Sequence, residues 1–264
     1  MEHSFAIPVY GEPVFLENCI QSILQQTRQA RVFVGTSTPS GTLSRLASRY
    51  GLEVYVNPDR RDIATDWNFL IERCDADLLT IAHQDDSYRS DYLEVMTTLA
   101  ASSPDCLLAF SDYEEITADK VRSDSMNMRI KRRLCRRAFR GQQSISTPHA
   151  KRRLLTLGNP VCCPSVILNM NTMPNFRFST RYRTNLDWDA WLRLADKPGP
   201  FIYFPRKLVA KRIHRESETS VTIANQTRQR EDREIFGRLW PRPLAAAISA
   251  VYSLGYIGNA DRLR

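Results

Sequence analysis

Three short clusters in the sequence carry residue types able to do chemistry. The first is His83-Gln84-Asp85-Asp86, which closes the apolar run Leu78-Leu79-Thr80-Ile81-Ala82. Two adjacent carboxylates at the end of a buried strand repel each other and are poorly solvated unless a cation, a ligand or water stands in front of them. Hard divalent cations take oxygen ligands of this kind, and open α/β sheets bind ligands at the carboxyl ends of their strands. On this stretch alone, a strand that simply ends in a polar loop is the other reading. The second cluster is Asp187-Trp188-Asp189, at the start of an amphipathic pattern that runs to Ala195. Acids are favourable in a first helical turn, and two acids two residues apart point to different faces. The third is Arg212-Ile213-His214, with Ser217 and Ser220 behind it. A neutral imidazole there can ligate a metal or carry a proton.

The elements that must position these groups follow from periodicity. Phe5 to Tyr10 reads as a short buried strand ending at Gly11. Pro13 opens a helix with Phe15, Leu16, Cys19, Ile20, Ile23 and Leu24 at helical spacing. Arg31 to Gly35 is a second strand, Thr42 to Tyr50 a helix, Leu52 to Val56 a third strand and Ile63 to Cys74 a helix. The strand at Leu78 to Ala82 comes fourth. This β-α-β alternation predicts a parallel, helix-covered sheet whose crevice lies beside the carboxyl ends of its strands. Tyr10, Thr36 and Asp85 all stand at such ends. Ser90 to Ser102 reads as a helix and Leu107 to Ser111 as a strand. A loop at Asn159 to Ser165 runs into a strand, and Phe201 to Phe204 and Lys207 to Ile213 read as two closing strands. Ala224 to Leu239 is a charged helix with an apolar tail from Trp240.

Between about 117 and 149 the pattern dissolves. Arg129 to Arg140 holds seven cations in twelve residues, which reads as a solvated insertion, an anionic-membrane patch or a clamp on an acidic acceptor. The whole chain of 264 residues carries a net charge of +8, so its surface attracts anions. No aromatic interleaving or nucleic-acid motif accompanies the basic run, and nucleic acid is not expected as a partner. Six cysteines without a CxxC pair suit reduced thiols in a cytosolic compartment. The stretch Met1-Glu2-His3-Ser4-Phe5 lacks the basic and apolar regions of a secretory signal, and no stretch reaches the ~18–20 apolar residues of a membrane span.

Taken in order, the strand end Pro8-Val9-Tyr10-Gly11-Glu12, the helix phrase Cys19 to Thr27, His83-Gln84-Asp85-Asp86, Leu186-Asp187-Trp188-Asp189 and Arg212-Ile213-His214 resemble the family 2 glycosyltransferases over roughly residues 4–220. The resemblance implies a GT-A, Rossmann-like α/β fold: a mostly parallel sheet with helices on both faces. On that reading a glycosyltransferase domain spans 1–222, with a nucleotide-sugar-binding half at 1–115, a basic insertion at 117–149 and an acceptor half at 150–222. Residues 223–264 form a helical extension. It also implies inverting transfer from a nucleotide-diphosphate sugar to a glycan or lipid-linked acceptor, in bacterial polysaccharide or cell-envelope synthesis on the cytoplasmic side. Asp85 matches the metal-holding acid of the family's Asp-x-Asp motif, with Mn2+ or Mg2+ as cofactor, and His214 matches a histidine that closes over metal and diphosphate. The first acid of that motif is His83 here. Asp187 matches the general base and Asp189 is the runner-up; the Glu that usually precedes the base is Leu186. Pro8, Tyr10, Glu12, Thr36, Arg61, Asp66, Asn68, Gln84 and Asp86 are candidates for the nucleotide-sugar. Where the family commonly carries a base-reading acidic pair, this chain has Gly35-Thr36. Trp188 and Trp191 are candidates for the acceptor cleft or the core.

Other readings make different demands. A sugar nucleotidyltransferase calls for a glycine-rich phosphate loop after the first strand, where this chain has Tyr10-Gly11-Glu12-Pro13. A degenerate member that binds a nucleotide-sugar or glycan without turnover draws on His83 and Leu186. The basic run and the apolar tail suit peripheral contact with an anionic bilayer.

Overall fold

A computed structural model of the chain describes residues 1–59, 62–117 and 120–260. In chain order the elements are β1 (His3–Val9), α1 (Leu16–Leu24), β2 (Arg31–Thr36), α2 (Gly41–Tyr50), β3 (Glu53–Val56), α3 (Ile63–Ile71), β4 (Leu78–Ile81), β5 (Ser87–Tyr88), α4 (Tyr92–Ala101) and β6 (Leu108–Ile116). There follow β7 (Val121–Arg122), α5 (Met126–Phe139), β8 (Ser144–Ile145), α6 (Pro148–Leu155), β9 (Val166–Asn169), α7 (Leu186–Ala195), β10 (Phe201–Arg212), α8 (Glu218–Ala224), α9 (Thr227–Leu239) and α10 (Arg242–Ala260).

The strands join in the order β3-β2-β1-β4-β9-β6-β10-β5, with β7 on β6 and β8 on β10. The long ladders are parallel: β1 with β2 and β4, β2 with β3, and β10 with β6. The antiparallel pairings, β9 with β4 and β6 among them, run over two or three residues each. The expected mostly parallel, helix-flanked sheet is therefore present.

Successive side chains of a strand face opposite sides, and the chain supplies an apolar residue to both. Phe5 and Ile7 pack with Leu16, Cys19 and Ile20 of α1 and with Tyr92 and Met96 of α4. Ala6, Phe33, Leu79 and Ile81 pack on the other face with Trp67 and Leu70 of α3 and with α7. All these residues are buried, the Trp67 ring being the most exposed at 7%. Ser40, Asp62, Ser125 and Thr147 cap their helices by accepting a backbone N–H three residues on.

Two expectations are corrected. Phe201 to Ile213 is one strand rather than two: β10 runs unbroken along β6, and the interruption at Pro205-Arg206 is absorbed as register shifts between Phe204 and Val209. The basic run, where the sequence pattern dissolves, is a folded helix. Met128, Cys135, Ala138 and Phe139 recur on one face of α5 and are buried. Its Arg132 Nε donates to Asp112 Oδ2 at 2.5 Å, anchoring the helix to β6. The seven cations hid an ordinary amphipathic period because they occupy the solvent face and its flanks.

The C-terminal helices pack against the same core: Ile235 and Phe236 of α9 are fully buried, and the Trp188 ring sits edge-on to Phe236 at 5.1 Å. Among the described residues no helix is long and apolar enough to cross a membrane.

Candidate active site

The carboxyl end of β4 and the end of β10 meet above the sheet. Residues 83–86 leave β4, and Arg212 at the end of β10 holds them. The Arg212 N–H donates to Asp86 Oδ1 at 2.8 Å and its Nε donates to the Asp85 carbonyl at 3.2 Å. His214 Nε2 lies 2.9 Å from Asp85 Oδ2. Phe15 braces this corner, with the His214 ring edge-on at 5.2 Å and the Arg212 guanidinium 4.4 Å above its face.

Burial pushes the Asp85 carboxyl up, but the His214 hydrogen bond and the nearby imidazoles outweigh it and hold the group below the usual carboxylate range. Asp86 goes the other way. Burial and then the Asp85 charge raise it well above that range, against the opposing pull of Lys211 and Arg212. Burial lowers His83 to about 4, so its ring is neutral near pH 7. Ligand atoms of His83, Asp85 and Asp86 lie within 4.8 Å of one another. His83 Nε2 and Asp86 Oδ2 are buried with no hydrogen-bond partner. Orphaned polar atoms beside a second carboxylate are costly; His83 Nδ1 lies 3.7 Å from Asp86 Oδ2, and a divalent cation held by this cluster would satisfy that oxygen. The donor set of carboxylates and neutral imidazole fits Mn2+ or Mg2+. His83, which stands where an acid was expected, is thus part of the cluster; its imidazole was the signal.

A cavity of about 1230 Å³ opens over this corner. Pro8, Tyr10, Asp66, Gln84, Asp85, Asp187 and His214 all line it. Gly11 turns the chain after β1 with φ +66, a conformation glycine adopts freely, and its N–H donates to Thr38 Oγ1 at 2.8 Å. Gln84 straps Tyr10 through both its backbone N–H and its carbonyl, at 3.2 and 3.1 Å. Asp66 accepts from Ser37 Oγ at 2.9 Å and from Asn57 Nδ2 at 2.8 Å, while burial pushes its carboxyl up.

Across the cavity, Asp187 lies in the first turn of α7. Its Oδ2 accepts from Asn159 Nδ2 at 3.0 Å and its Oδ1 from the Trp188 N–H at 2.7 Å. The two donors fix its direction.

Other candidates lie outside the cavity. Asp189 points to the opposite side of α7, 3% exposed, bound by Arg238 Nη1 at 2.7 Å and Arg193 Nε at 3.0 Å. Trp188 and Trp191 are fully in the core: α9 and α10 cover Trp188 through Phe236 and Tyr252, and Trp191 packs edge-on to Phe178; the Trp188 Nε1–H donates to the Leu155 carbonyl. Asn68 is spent on the Phe178 backbone, donating to its carbonyl and accepting from its N–H at 2.8 Å each. Asp86 is buried behind Asp85, and Glu12 is exposed beyond the rim. Thr36 is buried, with its Oγ1 accepting from the Thr38 N–H. Arg61 lies outside the described residues.

The packing also explains Gly35. A Cβ there would lie 2.5 Å from Leu70 Cδ2, so α3 seats on β2 too closely for any side chain. Ser37, two residues further and just past the end of β2, faces the cavity instead. Sequence reasoning missed Ser37, Asn159, Arg183 and Lys211, all of which line the cavity. Of these, Lys211 had a signal: it immediately precedes the Arg212-Ile213-His214 phrase.

The family model described as "Glycosyl transferase family 2" matches residues 4–168. In a search of the curated proteins, no sequence matches the chain. Among solved structures, S. aureus TarS residues 1–349 in complex with UDP-GlcNAc is similar with a TM-score of 0.65 at 12% identity, over 96% of this chain and 71% of that one. The mannosyltransferase PcManGT from Pyrobaculum calidifontis, in complex with GDP-Man and Mn2+, is similar with a TM-score of 0.65 at 12% identity, over 97% of this chain and 75% of that one. At these identities the likeness is one of fold.

Proposed function

The chain belongs to glycosyl transferase family 2, and on that premise we propose that it moves a sugar, with inversion, from a nucleotide-diphosphate donor to an acceptor hydroxyl, with Asp187 as the base. The observation that carries this reading is that one cavity holds the Asp85–His214 corner on one side and the oriented Asp187 carboxylate on the other. Inversion requires attack from the face opposite the leaving group, so acid-rich metal corner and base must face each other across the sugar. Relatives of the same fold bind UDP-GlcNAc, and GDP-Man with Mn2+, which supports the donor class.

Pro8, Tyr10, Ser37 and Asp66 bind the nucleoside end, and Gln84 holds the Tyr10 backbone in place. Asp85, with His83 and Asp86, would hold the divalent cation, and His214 steadies the Asp85 carboxylate through the 2.9 Å contact of its Nε2. When bound, that cation neutralises the negative charge growing on the departing diphosphate. Arg212 orients the strand end beneath it, and Lys211 adds positive charge to the same corner. The acceptor oxygen attacks the anomeric carbon while the bond to the diphosphate breaks. Its proton passes to Asp187, which Asn159 keeps aimed into the cavity.

A second reading, a nucleotide-sugar binder without turnover, rests on Leu186, which is 3% exposed and offers no carboxylate beside Asp187. Donor turnover with Mn2+ or Mg2+, measured for the wild type and Asp187→Asn, separates the two. Metal-dependent turnover lost in the variant, with nucleotide-induced thermal stabilisation retained, is expected. Nucleotide binding without turnover of any donor overturns the transferase reading.

A further inference from the structure

A nucleotide-sugar is polar and anionic, and it accounts for only one half of the cavity. Beyond Asp187 the walls turn apolar, formed by Ile130 and Leu134 of α5, by Leu157, and by Ile248, Val251 and Tyr252 of α10. At about 1230 Å³ the cavity exceeds the ~300–1,000 Å³ typical of a single small-molecule site, which leaves room for a second substrate. The helices α5 and α10 adjoin at its rim, where Asn127 Nδ2 donates to the Gly255 carbonyl. Along these two helices large apolar side chains stand in water: Met126 at 57% exposure, Val251 at 70% and Leu254 at 62%. Single exposed apolar residues are ordinary, but several on adjoining helices at the mouth of a cavity form a patch that marks a binding surface.

Charge accompanies this surface. Lys131 of α5 and Lys211 of β10 both line the cavity, and their like charges oppose each other. Among the described residues no ion pair or hydrogen bond joins either ammonium to an acid; Lys131 Nζ rests 5.2 Å from the Tyr113 ring centroid. The charge of Asp86 also reaches Lys211, so of the two it is Lys131 that stands ready for an anion. Outside the cavity α5 presents Arg129, Arg133, Arg136 and Arg137, all exposed.

We infer that the acceptor is an anionic amphiphile: an isoprenoid or acyl chain joined through phosphate to the head that carries the attacking hydroxyl. Its apolar chain lies between α5 and α10, its phosphate at Lys131, and its hydroxyl at Asp187. The inference rests on the transferase reading of Asp187. It commits to a lipid-linked acceptor over a free glycan, because an aliphatic wall of Ile130, Leu134, Leu157, Ile248 and Val251 gains more from a hydrocarbon chain than from a hydroxyl-rich one.

The test is direct binding of farnesyl phosphate to the full chain in the presence of Mn2+ and nucleotide, with farnesol and inorganic phosphate as comparison probes. Farnesyl phosphate is expected to bind at least about tenfold tighter than either comparison probe, since both chain and charge contribute. Ile130→Asp and Val251→Asp are expected to weaken it about tenfold or more, and Lys131→Gln to weaken farnesyl phosphate but not farnesol. Nucleotide-induced thermal stabilisation of each variant reports that it is folded. Lys131→Gln changes a partly exposed helix position and keeps the test decisive should the aspartate variants fail to fold. Farnesyl phosphate that does not bind, or binds with equal strength to the wild type and to every folded variant, overturns the inference and leaves a polar glycan as acceptor. Loss of nucleotide stabilisation in the wild type would instead sink the donor reading on which it stands.

Discussion

His214 Nε2 lies 2.9 Å from Asp85 Oδ2 although 129 residues separate them in sequence. The contact ties the segment after β10 to the end of β4 and makes a lid ligand and a strand-end ligand into one unit. Arg212, two residues before His214, holds the backbone of the same corner.

Asp85→Asn is therefore expected to abolish the dependence of donor turnover on Mn2+ and to lower kcat by roughly 10³-fold, the scale of losing a charge-stabilising group. His214→Ala is expected to cost about 10–100-fold and to shift the Mn2+ requirement upward. Initial rates across a Mn2+ titration check both. A wild-type Mn2+ profile in His214→Ala would show the contact with Asp85 to be structural alone.

On the opposite wall, Asp187→Asn is expected to lower kcat by about 10²–10⁴-fold with little change in donor KM, because only proton transfer is lost. Asn159→Ala removes one of the two donors that aim the carboxylate, and a smaller fall in kcat, roughly tenfold, is expected. Steady-state kinetics on both variants with one donor make the comparison; equal losses in KM and no loss in kcat would remove Asp187 from the base role.

Asp189, two residues away, is expected to behave as a structural residue. Its carboxylate is 4% exposed and paired with Arg193 and Arg238, which are themselves about 40% exposed. Removing the charge leaves two arginines that can rehydrate, so Asp189→Asn is expected to destabilise the fold by about 2–3 kcal/mol, below the usual cost of breaking a fully buried pair. Urea denaturation measures it, and the nucleotide-induced thermal shift of the folded variant is expected to match that of the wild type.

His3 sets a pH dependence of stability. Its ring is buried on β1, with Nε2 3.0 Å from Thr80 Oγ1 and Nδ1 without a partner, and burial lowers it to about 3. The unfolded chain takes up that proton near pH ~6.5, and the folded chain does not. Stability from this group is thus intact above pH ~6.5 and falls by about 1.4 kcal/mol per unit as pH drops from there toward about 3. His3→Phe keeps an aromatic ring against Phe5 and leaves Thr80 its Tyr92 contact. Denaturation curves between pH 6 and 4 are expected to be shallower in pH for the variant by that slope; parallel curves would contradict it.

Much of the fold was legible because local patterns and global packing agree. The alternation of apolar strand runs and helical spacing through residue 86 predicts the parallel half of the sheet, and it forms there. The strand-end position of Asp85 was equally legible from the apolar run before it, whereas its facing a cavity rather than a plain polar loop was not. The cations of α5 obscured its period, and Pro205 divided what is one strand, because both readings weigh composition over register with a distant partner.

What the sequence by itself determined is which residues stand at strand ends and helix starts, since period and burial are local properties. Which of those residues meet was decided by tertiary structure alone. The helical period already requires Asp187 and Asp189 to face apart; only the placement of α9 behind α7 assigns Asp189 to Arg238 and leaves Asp187 to the cavity. Leu70 excludes a side chain at Gly35 for the same kind of reason, a close approach between elements far apart in the chain. The apolar half of the cavity, built from α5 and α10, exists only once two segments more than a hundred residues apart have packed side by side.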